Sequence, residues 1–265
     1  MQLTIVGNRA GMPADGAASS GYLVETGQSK ILLDCGPGIA VALGNYLHPS
    51  FLEAVVISHL HLDHVYDVLP VGKQAMRKAD GAPDRRIKLF VPAGARERLD
   101  RLAALFPVRS TPDLDRAFDL AYEVVEYEAG SRYTLADCTL EFVPMAHSEP
   151  CCGVRIESPT GSLAFTGDTG WTDNLVTLAA GVDLFLSEST LSEPDTTEHG
   201  HLCAIEVGRA AAAAGARSVV LTHFGSPLED WQQARRDEAA AEFDGRVEIS
   251  RPSMLFAVPV ESVRK

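Results

Sequence analysis

The sequence predicts an α/β protein in which two layers of β-sheet pack face to face and carry helices on their outer sides. Short apolar and β-branched runs recur along the chain, and helical segments fall between and after them. Polar residues of metal-ligand type follow several of these runs, at the ends where α/β sheets place their sites. The 265 residues show no obvious linker and no repeated motif, so a single domain over residues 1–265 is expected.

The first half of the chain is expected to begin with strands and to continue with alternating helices and strands. Glycines and prolines mark 7–21 as a loop, and Gly27-Gln28 fits the turn of a hairpin. The expected strands are 2–6, 22–26, 30–33, 55–57 and 87–91, and the expected helices run from about 38 to 47, from 67 to 79 and from 94 to 106.

The second half is expected to follow a Pro/Ser/Thr-rich connection at 107–118. An alanine-rich helix should run from 202 to 214 and end at Gly215. A last helix should begin with a capping box formed by Ser226 and Glu229 and should end at Gly245. The expected strands are 120–127, 139–144, 152–157, 162–167, 182–186, 218–222, 246–250 and 254–258.

The composition disfavours some partners. Acidic residues outnumber basic ones by 36 to 23, and the resulting net charge of −13 repels phosphate backbones, which disfavours a large nucleic acid. A small anionic substrate stays compatible, because bound metal ions dominate the field inside a site. The five cysteines without C-x-x-C spacing, the lack of a signal peptide and the lack of a long apolar run predict a cytoplasmic protein with reduced thiols and no membrane partner.

The densest group of ligand-type residues is His59-Leu60-His61-Leu62-Asp63-His64, directly after the apolar strand 55–57. Imidazole and carboxylate side chains together suit zinc, and also manganese or iron. A lone histidine in such a place is usually a solvated loop residue, but four ligand-type residues within six positions predict a metal site. Because the strand leads into a loop, these side chains can spread over more than one ion.

Three more ligand-type residues, His147, Asp168 and His223, follow apolar strands. Each of them alone could be a turn or capping residue. Because the carboxyl ends of such strands share one edge of an α/β sheet, we expect all three to join the histidine cluster. His48 and His199 are expected on the surface.

Several other positions have two interpretations each. Asp34 either supports the metal loop from behind or caps the helix that follows it. Asn8 and Arg9 either contact a substrate anion or belong to a plain exposed loop. Trp171 either stacks on a nucleobase or covers the rim of a cleft.

The order of these motifs resembles the metallo-β-lactamase superfamily over nearly the whole chain. The pattern consists of His-x-His-x-Asp-His at 59–64, His147, Gly-Asp-Thr at 167–169 and Thr-His-Phe at 222–224. Within that superfamily the chain is most similar to the ribonuclease Z and cyclic-nucleotide phosphodiesterase branch. The closer likeness is carried by Ser19-Ser20-Gly21-Tyr22, Leu33-Asp34-Cys35-Gly36 and Gly200-His201-Leu202-Cys203-Ala204.

The resemblance implies an αββα four-layer sandwich, the metallo-β-lactamase fold, in which two mixed β-sheets are flanked by helices and two divalent metal ions lie between them. Zinc is the expected metal, with Mn²⁺ or Fe²⁺ as alternatives. The implied ligands are His59, His61 and His147 for the first ion, Asp63, His64 and His223 for the second, and Asp168 as a bridge between both.

The expected catalytic residues are Asp63, His201 and Glu188. A hydroxide shared by the two ions would attack the substrate, and Asp63 would orient it. His201, aided by Glu188, would protonate the leaving group, whereas the other interpretation makes His201 the N-cap of the alanine-rich helix. Glu188 stands where ribonuclease Z enzymes have a His-Glu-Ala-Thr motif, but here Ser187 replaces the histidine.

Together these residues predict a binuclear metal-dependent hydrolase, a phosphodiesterase that cleaves a small phosphodiester such as cAMP. A ribonuclease Z-like tRNA 3′-end endonuclease is the first alternative, disfavoured by the charge of −13 and by the lack of room for a tRNA-gripping arm. A lactone, thioester or β-lactam hydrolase on the same scaffold is the second, and a metal-binding protein without turnover is the third. The sequence does not fix the oligomeric state; relatives in this branch often form dimers, so a homodimer is one alternative.

Overall fold

The computed structural model describes residues 1–259 and contains two mixed β-sheets of seven strands each. The first sheet begins with Gln2–Gly7 (β1), Gly21–Glu25 (β2), Lys30–Leu33 (β3), Ala54–Val56 (β4), Ile87–Pro92 (β5) and Tyr122–Tyr127 (β6), in that spatial order. The second sheet contains Arg132–Thr134 (β7), Thr139–Pro144 (β8), Cys152–Ser158 (β9), Gly161–Phe165 (β10), Leu184–Glu188 (β11), Ser218–Thr222 (β12) and Arg246–Ile249 (β13), again in that order. Leu255–Ala257 (β14) then returns to the first sheet beside β1.

Both sheets follow the same pattern of strand directions. In the first sheet, β14 to β3 pair antiparallel and β3 to β6 pair parallel. In the second sheet, β7 to β10 pair antiparallel and β10 to β13 pair parallel. Consequently β8, β10, β11 and β12 all run in one direction and end at one edge of the second sheet, which is the arrangement that brings side chains from distant sequence positions together.

The helices lie on the two outer faces. Those on the first sheet are Ile39–Ala42 (α1), Val68–Ala75 (α3), Ala95–Ala104 (α4) and Ala117–Leu120 (α5), with Leu62–Val65 (α2) preceding α3. Those on the second sheet are Asn174–Ala179 (α6), Ala204–Ala214 (α7) and Glu229–Glu242 (α8). Within residues 1–259, none of the helices combines the length and the apolar character that crossing a bilayer requires.

Three separate apolar layers hold the four structural layers together, which confirms the predicted αββα sandwich. The central layer lies between the sheets and contains large buried side chains such as Tyr22, Phe90 and Phe142. The outer layers bury one face of each helix, with Leu99 of α4 on one side and Val207 of α7 on the other. Burial of these side chains is the main favourable contribution to folding, at roughly 1.5–3 kcal/mol for each large apolar residue.

Several predicted boundaries are wrong, for local reasons. The helix expected to reach residue 47 ends at Ala42 and continues as a 3₁₀ turn, Leu43–Asn45, and Pro49–Phe51 forms a second such turn. The connection at 107–118 contains the 3₁₀ helix Pro112–Arg116 and the start of α5. The helices α2 and α6 and the strand β7, each of six residues or fewer, were not predicted, because such short segments show little periodicity.

The predicted capping box of the last helix is also wrong. Helix α8 begins at Glu229, its N-cap is Leu228, and no side chain caps it. The Ser226 hydroxyl instead accepts a hydrogen bond from the Leu228 amide at 3.3 Å, one turn before the helix. The helix ends at Glu242, ahead of Gly245, whereas Gly215 does end α7 as predicted, with a left-handed φ of 64°.

Candidate metal centre

The histidine cluster leaves the first sheet at the end of β4 and enters α2. His59 and His64 are buried, and His61 and Asp63 are partly exposed. The sequence predicted a plain loop here, but α2 spans Leu62–Val65, so one short helical turn carries both Asp63 and His64. The turn brings Asp63 and His64 into the second of two groups of potential ligands, although the His59 and His64 rings stay close, with centroids 4.1 Å apart.

The remaining ligand-type residues come from the second sheet. His147 follows β8, Asp168 follows β10 and His223 follows β12, at the edge where these strands end together. His223 has a left-handed φ of 53° and directly follows the last residue of β12. The structure therefore brings together all seven residues predicted as metal ligands, from both sheets.

The first group consists of His59, His61, His147 and Asp168, whose donor atoms all lie within 4.8 Å of one another. His147 Nε2 is 3.0 Å from His61 Nδ1, and His59 Nε2 is 3.7 Å from Asp168 Oδ2. Ligands about 2.0–2.1 Å from a tetrahedral zinc ion are separated by roughly 3.3 Å, which is the range seen here.

The second group consists of Asp63, His64, Asp168 and His223. His64 Nε2 lies 3.2 Å from His223 Nε2 and also 3.2 Å from Asp168 Oδ2. His223 Nε2 lies 3.2 Å from Asp63 Oδ2. Asp168 belongs to both groups, in the position predicted for a bridging carboxylate.

Two buried atoms of these groups lack hydrogen-bond partners, which is expected of atoms that bind a cation. Among residues 1–259, His59 Nε2 and Asp168 Oδ1 are buried and have no hydrogen-bond partner. A buried acceptor without a partner costs about 1–3 kcal/mol, which a coordinated cation would remove. The residues present therefore fit two divalent ions that share Asp168, and the individual ligand roles stay predictions.

The outward-facing nitrogen of four histidines is held by a hydrogen bond, which leaves the other nitrogen free to face the centre. These pairs are His59 Nδ1 with Ser58 Oγ at 3.0 Å, His64 Nδ1 with Asp34 Oδ2 at 2.6 Å, His147 Nδ1 with the Gly200 carbonyl at 2.8 Å, and His223 Nδ1 with Thr190 Oγ1 at 2.8 Å. Each ring is thus oriented before an ion arrives.

Asp34 supports the metal loop and does not cap a helix. Its carboxylate accepts hydrogen bonds from the Ser58 amide at 2.7 Å and the Ser58 hydroxyl at 2.9 Å, in addition to the bond from His64. The N-cap of α1 is Gly38 instead. Asp34 is fully buried and has a left-handed φ of 56°, a conformation that Asp and Asn tolerate better than most residues.

The charges of the site shift several pKa values in opposite directions. Burial, together with the neighbouring His64, holds the pKa of His59 well below its usual range. Burial alone would lower the pKa of His64, but the carboxylates of Asp168 and Asp34 outweigh it and raise that pKa well above its usual range. A metal ion would replace the proton of His64, so metal affinity is expected to fall as the pH is lowered.

His201 and Glu188 form a charged pair beside the two groups. His201 Nδ1 is 2.9 Å from Glu188 Oε1 and 4.0 Å from Asp168 Oδ2. Burial would lower the pKa of His201, but the charge of Glu188 and the hydrogen bond to it raise that pKa to about 9. The alternative role of His201 as a helix N-cap is wrong, because Cys203 is the N-cap of α7.

Glu188 is fully buried and is held by several donors. Its carboxylate accepts hydrogen bonds from the Thr169 amide at 2.8 Å and from the Thr190 hydroxyl at 2.6 Å. Thr190 also contacts His223, so it links Glu188 to the second ligand group. Ser187, which replaces the expected histidine, donates to the Glu188 carbonyl at 3.0 Å and does not reach the ligands through any hydrogen bond described in residues 1–259.

Two residues of the site region were missed from the sequence. Asp195 accepts hydrogen bonds from the amides of Gly200 at 2.9 Å and His201 at 3.2 Å and so fixes the loop before α7. His199 is exposed as predicted, yet its ring stacks on His61 with centroids 5.8 Å apart. The spacing Asp195-x-Thr197 was the available signal, since Asp side chains at such positions hold turns.

The two loop residues with open roles differ in the structure. Asn8 is buried, and its amide donates to the Ser250 carbonyl at 2.7 Å, so it links β1 to the segment after β13 and does not face a substrate. Arg9 is partly exposed, and its buried Nε and Nη1 atoms have no partner among residues 1–259. A contact of Arg9 with a substrate anion stays a prediction.

Comparison with known proteins agrees with this geometry. A family model described as a β-lactamase superfamily domain matches residues 29–224. The chain is 28% identical over 262 residues to the probable metallo-hydrolase YhfI of Bacillus subtilis, which covers 97% of this chain and 99% of that protein. It is 30% identical over 272 residues to a ribonuclease Z of Mycobacterium bovis, which covers 94% of this chain and 95% of that protein.

Solved structures show the same architecture. The crystal structure of YhfI from Bacillus subtilis matches with a TM-score of 0.81 and 26% identity, covering 96% of this chain and 98% of that one. The human short-form tRNase Z matches with a TM-score of 0.77, covering 98% of this chain and 100% of that one. The identity to the human protein is 20%, so this second likeness shows the fold alone.

Proposed function

The chain belongs to the β-lactamase superfamily and is a metallo-hydrolase, and we propose that its substrate is a small phosphodiester such as cAMP. The proposal depends on one observation. His201 Nδ1 is hydrogen-bonded at 2.9 Å to the buried Glu188 carboxylate, at the edge of the two ligand groups. A histidine in this position can act as a general acid, which is needed when the leaving group is poor and must be protonated.

The ions that the ligands fit would act as Lewis acids toward a water molecule and toward the anionic oxygens of the substrate. We propose zinc as the metal, because imidazole and carboxylate ligands at these separations suit it. Asp63 would orient the attacking water. Its Oδ2 atom, which faces the second ligand group, accepts a hydrogen bond from the Gly11 amide at 2.7 Å, which keeps the carboxylate in place.

His201 supplies the proton that the leaving oxygen needs. A ribose alkoxide is a strong base, and its departure from phosphorus is slow unless it is protonated in the transition state. His201 Nδ1 donates to Glu188, so Nε2 is the nitrogen that can give its proton to the substrate. Glu188 has two tasks in this scheme, since it orients the ring and raises the pKa of His201.

The likeness to ribonuclease Z supports the phosphodiester class and also favours a second candidate. One relative at 30% identity is named ribonuclease Z, so cleavage at the 3′ end of a tRNA precursor stays a competing hypothesis. The net charge of −13 favours the smaller substrate, because a long polyanion is repelled by an acidic surface.

The test compares leaving groups in one enzyme. The zinc- and manganese-loaded protein would be assayed with cAMP, bis(p-nitrophenyl) phosphate, a tRNA precursor, a lactone and nitrocefin. We expect turnover of the first two substrates. In the variant His201→Ala, kcat for cAMP should fall by about 10²–10⁴-fold, the usual contribution of a general acid. The loss for bis(p-nitrophenyl) phosphate should be much smaller, because p-nitrophenolate leaves without a proton.

His48→Ala is the matched control, since the His48 ring contacts Ser50 and none of the ligand groups. Metal content would be measured for each variant, so that lost activity is not confused with lost metal. Equal losses on both phosphodiesters would contradict the proton-donor role of His201. Higher kcat/KM for the lactone or for nitrocefin than for any phosphodiester would contradict the substrate class, and efficient tRNA cleavage would favour the second candidate.

A further inference from the structure

We propose that the cleft beside His147 is a nucleobase pocket, in which Trp171 stacks on the base and Glu198 accepts a hydrogen bond from an amino group of the base. This inference rests on the proposed phosphodiesterase function and names the class of substrate more closely. The pocket would select 3′,5′-cyclic nucleotides whose base carries an amino group. It would exclude substrates that place a second phosphate in the cleft.

The cleft opens directly from the first ligand group. His147 forms part of its wall, and its volume is about 420 Å³, within the range of small-molecule sites. A phosphodiester at the metal centre would therefore extend its leaving group or its base into this space. A cleft that shares a wall with the reactive centre is the natural position for the part of the substrate that does not react.

The inner wall is formed by backbone and is rigid. The Gly170 amide donates to the Ala146 carbonyl at 2.7 Å, and His147 Nδ1 donates to the Gly200 carbonyl at 2.8 Å. Gly200 has a φ of 85°, and a Cβ atom added there would lie 2.3 Å from the Ala146 oxygen. The two glycines thus allow the backbone at 146–147, 170 and 200 to pack closely, which closes the inner wall of the cleft.

Trp171 provides the aromatic surface. Its side chain is 46% exposed although it lines the cleft. Within residues 1–259, no other aromatic ring packs against the Trp171 indole and no hydrogen bond holds it. An exposed indole at the rim of a rigid cleft is suited to stacking on a base, and loss of one such contact lowers binding by about 5- to 150-fold.

The charge of the outer cleft is negative. Three carboxylates, Asp195, Glu198 and Glu206, line it, and none of its lining residues is a lysine or an arginine. The cleft is thus cationic at the metal end, once ions are bound, and anionic at the other. A substrate with one phosphodiester and an uncharged base matches this distribution, whereas a dinucleotide or a tRNA would bring a second phosphate against the carboxylates.

Only one of the three carboxylates is free to bind a ligand. Asp195 accepts bonds from Thr197 and from the backbone before α7, and Glu206 accepts one from the Cys203 amide at 3.0 Å. Glu198 has no hydrogen bond or ion pair within the described residues 1–259. Carboxylates accept hydrogen bonds from base amino groups, so Glu198 assigns the pocket to a base that carries one.

The experiment measures kcat/KM for three cyclic phosphates with the metal-loaded protein. These are cAMP, the purine riboside 3′,5′-cyclic phosphate, which lacks the amino group, and the methyl riboside 3′,5′-cyclic phosphate, which lacks the base. We expect cAMP to exceed the purine analogue by about tenfold or more, the usual effect of a hydrogen bond to a charged group. Both should exceed the base-free compound.

Two variants assign the effects to residues. Trp171→Ala should lower kcat/KM for both base-bearing substrates by about 5- to 150-fold and leave the base-free compound unchanged. Glu198→Ala should abolish the preference for cAMP over the purine analogue without slowing the purine analogue. Glu193→Ala is the matched control, because Glu193 is an exposed acid of the same loop that does not line the cleft.

The outcomes separate the two proposals. If all three cyclic phosphates react with equal kcat/KM and Trp171→Ala changes none of them, the nucleobase pocket is refuted while the phosphodiesterase function stands. If neither these compounds nor bis(p-nitrophenyl) phosphate are hydrolysed, the phosphodiesterase function itself is refuted. If Glu193→Ala has the same effect as Glu198→Ala, the effect is a general one of surface charge and the assignment of Glu198 is wrong.

Discussion

Replacement of Asp34 by Asn should weaken metal binding without unfolding the protein. Asn has nearly the same shape and tolerates the left-handed φ of 56° found at this position. Its carbonyl oxygen can still accept the hydrogen bond from the Ser58 amide, which is 2.7 Å from the native carboxylate. Its amide group, however, is a donor where the His64 Nδ1–H group needs an acceptor.

The expected magnitude follows from the contact with His64. The distance of 2.6 Å between His64 Nδ1 and Asp34 Oδ2 is that of a charge-assisted hydrogen bond, worth about 1.5–3 kcal/mol. Without that acceptor, the form of His64 that binds metal, with its proton on Nδ1 and with Nε2 free to face the second ligand group, is disfavoured. Changes in such supporting contacts typically lower metal affinity by about 10- to 100-fold, which is equivalent to about 1.4–2.7 kcal/mol.

The assay is competition for zinc between the protein and a chromophoric chelator, followed by thermal unfolding of the metal-free protein. Asp67→Asn is the control, because Asp67 is a mostly buried aspartate that accepts a hydrogen bond from the Ala40 amide at 2.8 Å. It has no hydrogen bond or ion pair with a histidine within residues 1–259. Its replacement should cost stability but leave the affinity for metal unchanged.

The reasoning is refuted if Asp34→Asn binds zinc within twofold of the wild-type affinity while the metal-free protein keeps its stability. It is also refuted if both variants lose metal affinity equally, because the loss would then come from general destabilisation. A selective loss in Asp34→Asn assigns the effect to the tautomer of His64.

Three further predictions concern pH, metal removal and the packing of the cleft. Activity toward cAMP should fall as the pH rises through the pKa of His201, which Glu188 raises to about 9. Bound ions would move this decrease in activity to lower pH. If the decrease occurs at the same pH in the pH–kcat profile of Glu188→Gln, the prediction is contradicted. Removal of two ions, each present at about 100 times its dissociation constant, should cost about 2.7 kcal/mol per ion and lower Tm by about 10–20 °C in total. Thermal unfolding with and without chelator measures this, and an unchanged Tm would count against the two-ion site. Gly200→Ala should displace the loop that carries His147 and so lower kcat/KM, because the new Cβ would lie 2.3 Å from the Ala146 oxygen. Gly215→Ala is the control, since Gly215 also has a positive φ, of 64°, but open space around it. Equal kcat/KM in the two variants would contradict the displacement.

The sequence predicted strands well where an apolar run is continuous, and helices well where they span several turns. Runs such as Ser218–Thr222 and the helix ending at Gly215 combine local preference with burial, so the pattern alone defines them. The prediction of a loop at residues 62–65 was wrong, because a helix of a single turn has no periodicity to detect. The motif at Ser226 fits a capping box, but the helix begins with Leu228 as its N-cap, two residues later.

The residues of the candidate site could be predicted because histidine and aspartate are recognisable as metal-ligand types from the sequence alone. Histidines and aspartates after strands are uncommon enough to be noticed one by one, and the structure brings all seven together. The supporting contacts were less accessible. Asp195 fixes the backbone of Gly200 and His201; its spacing to Thr197 indicates a turn, but nothing in the local sequence shows that this turn lies beside the site.

The distribution of the ligands between the two sheets has a consequence for assembly. His59 and His64 follow a strand of one sheet, whereas His147, Asp168 and His223 follow strands of the other, so a cation bound in either ligand group would connect the two halves of the molecule. A chain cut in the turn between Tyr127 and Arg132 would yield two fragments that each contain only part of every ion site. Zinc should therefore promote their reassociation, and the strength of that effect would report how firmly the cations join the two halves.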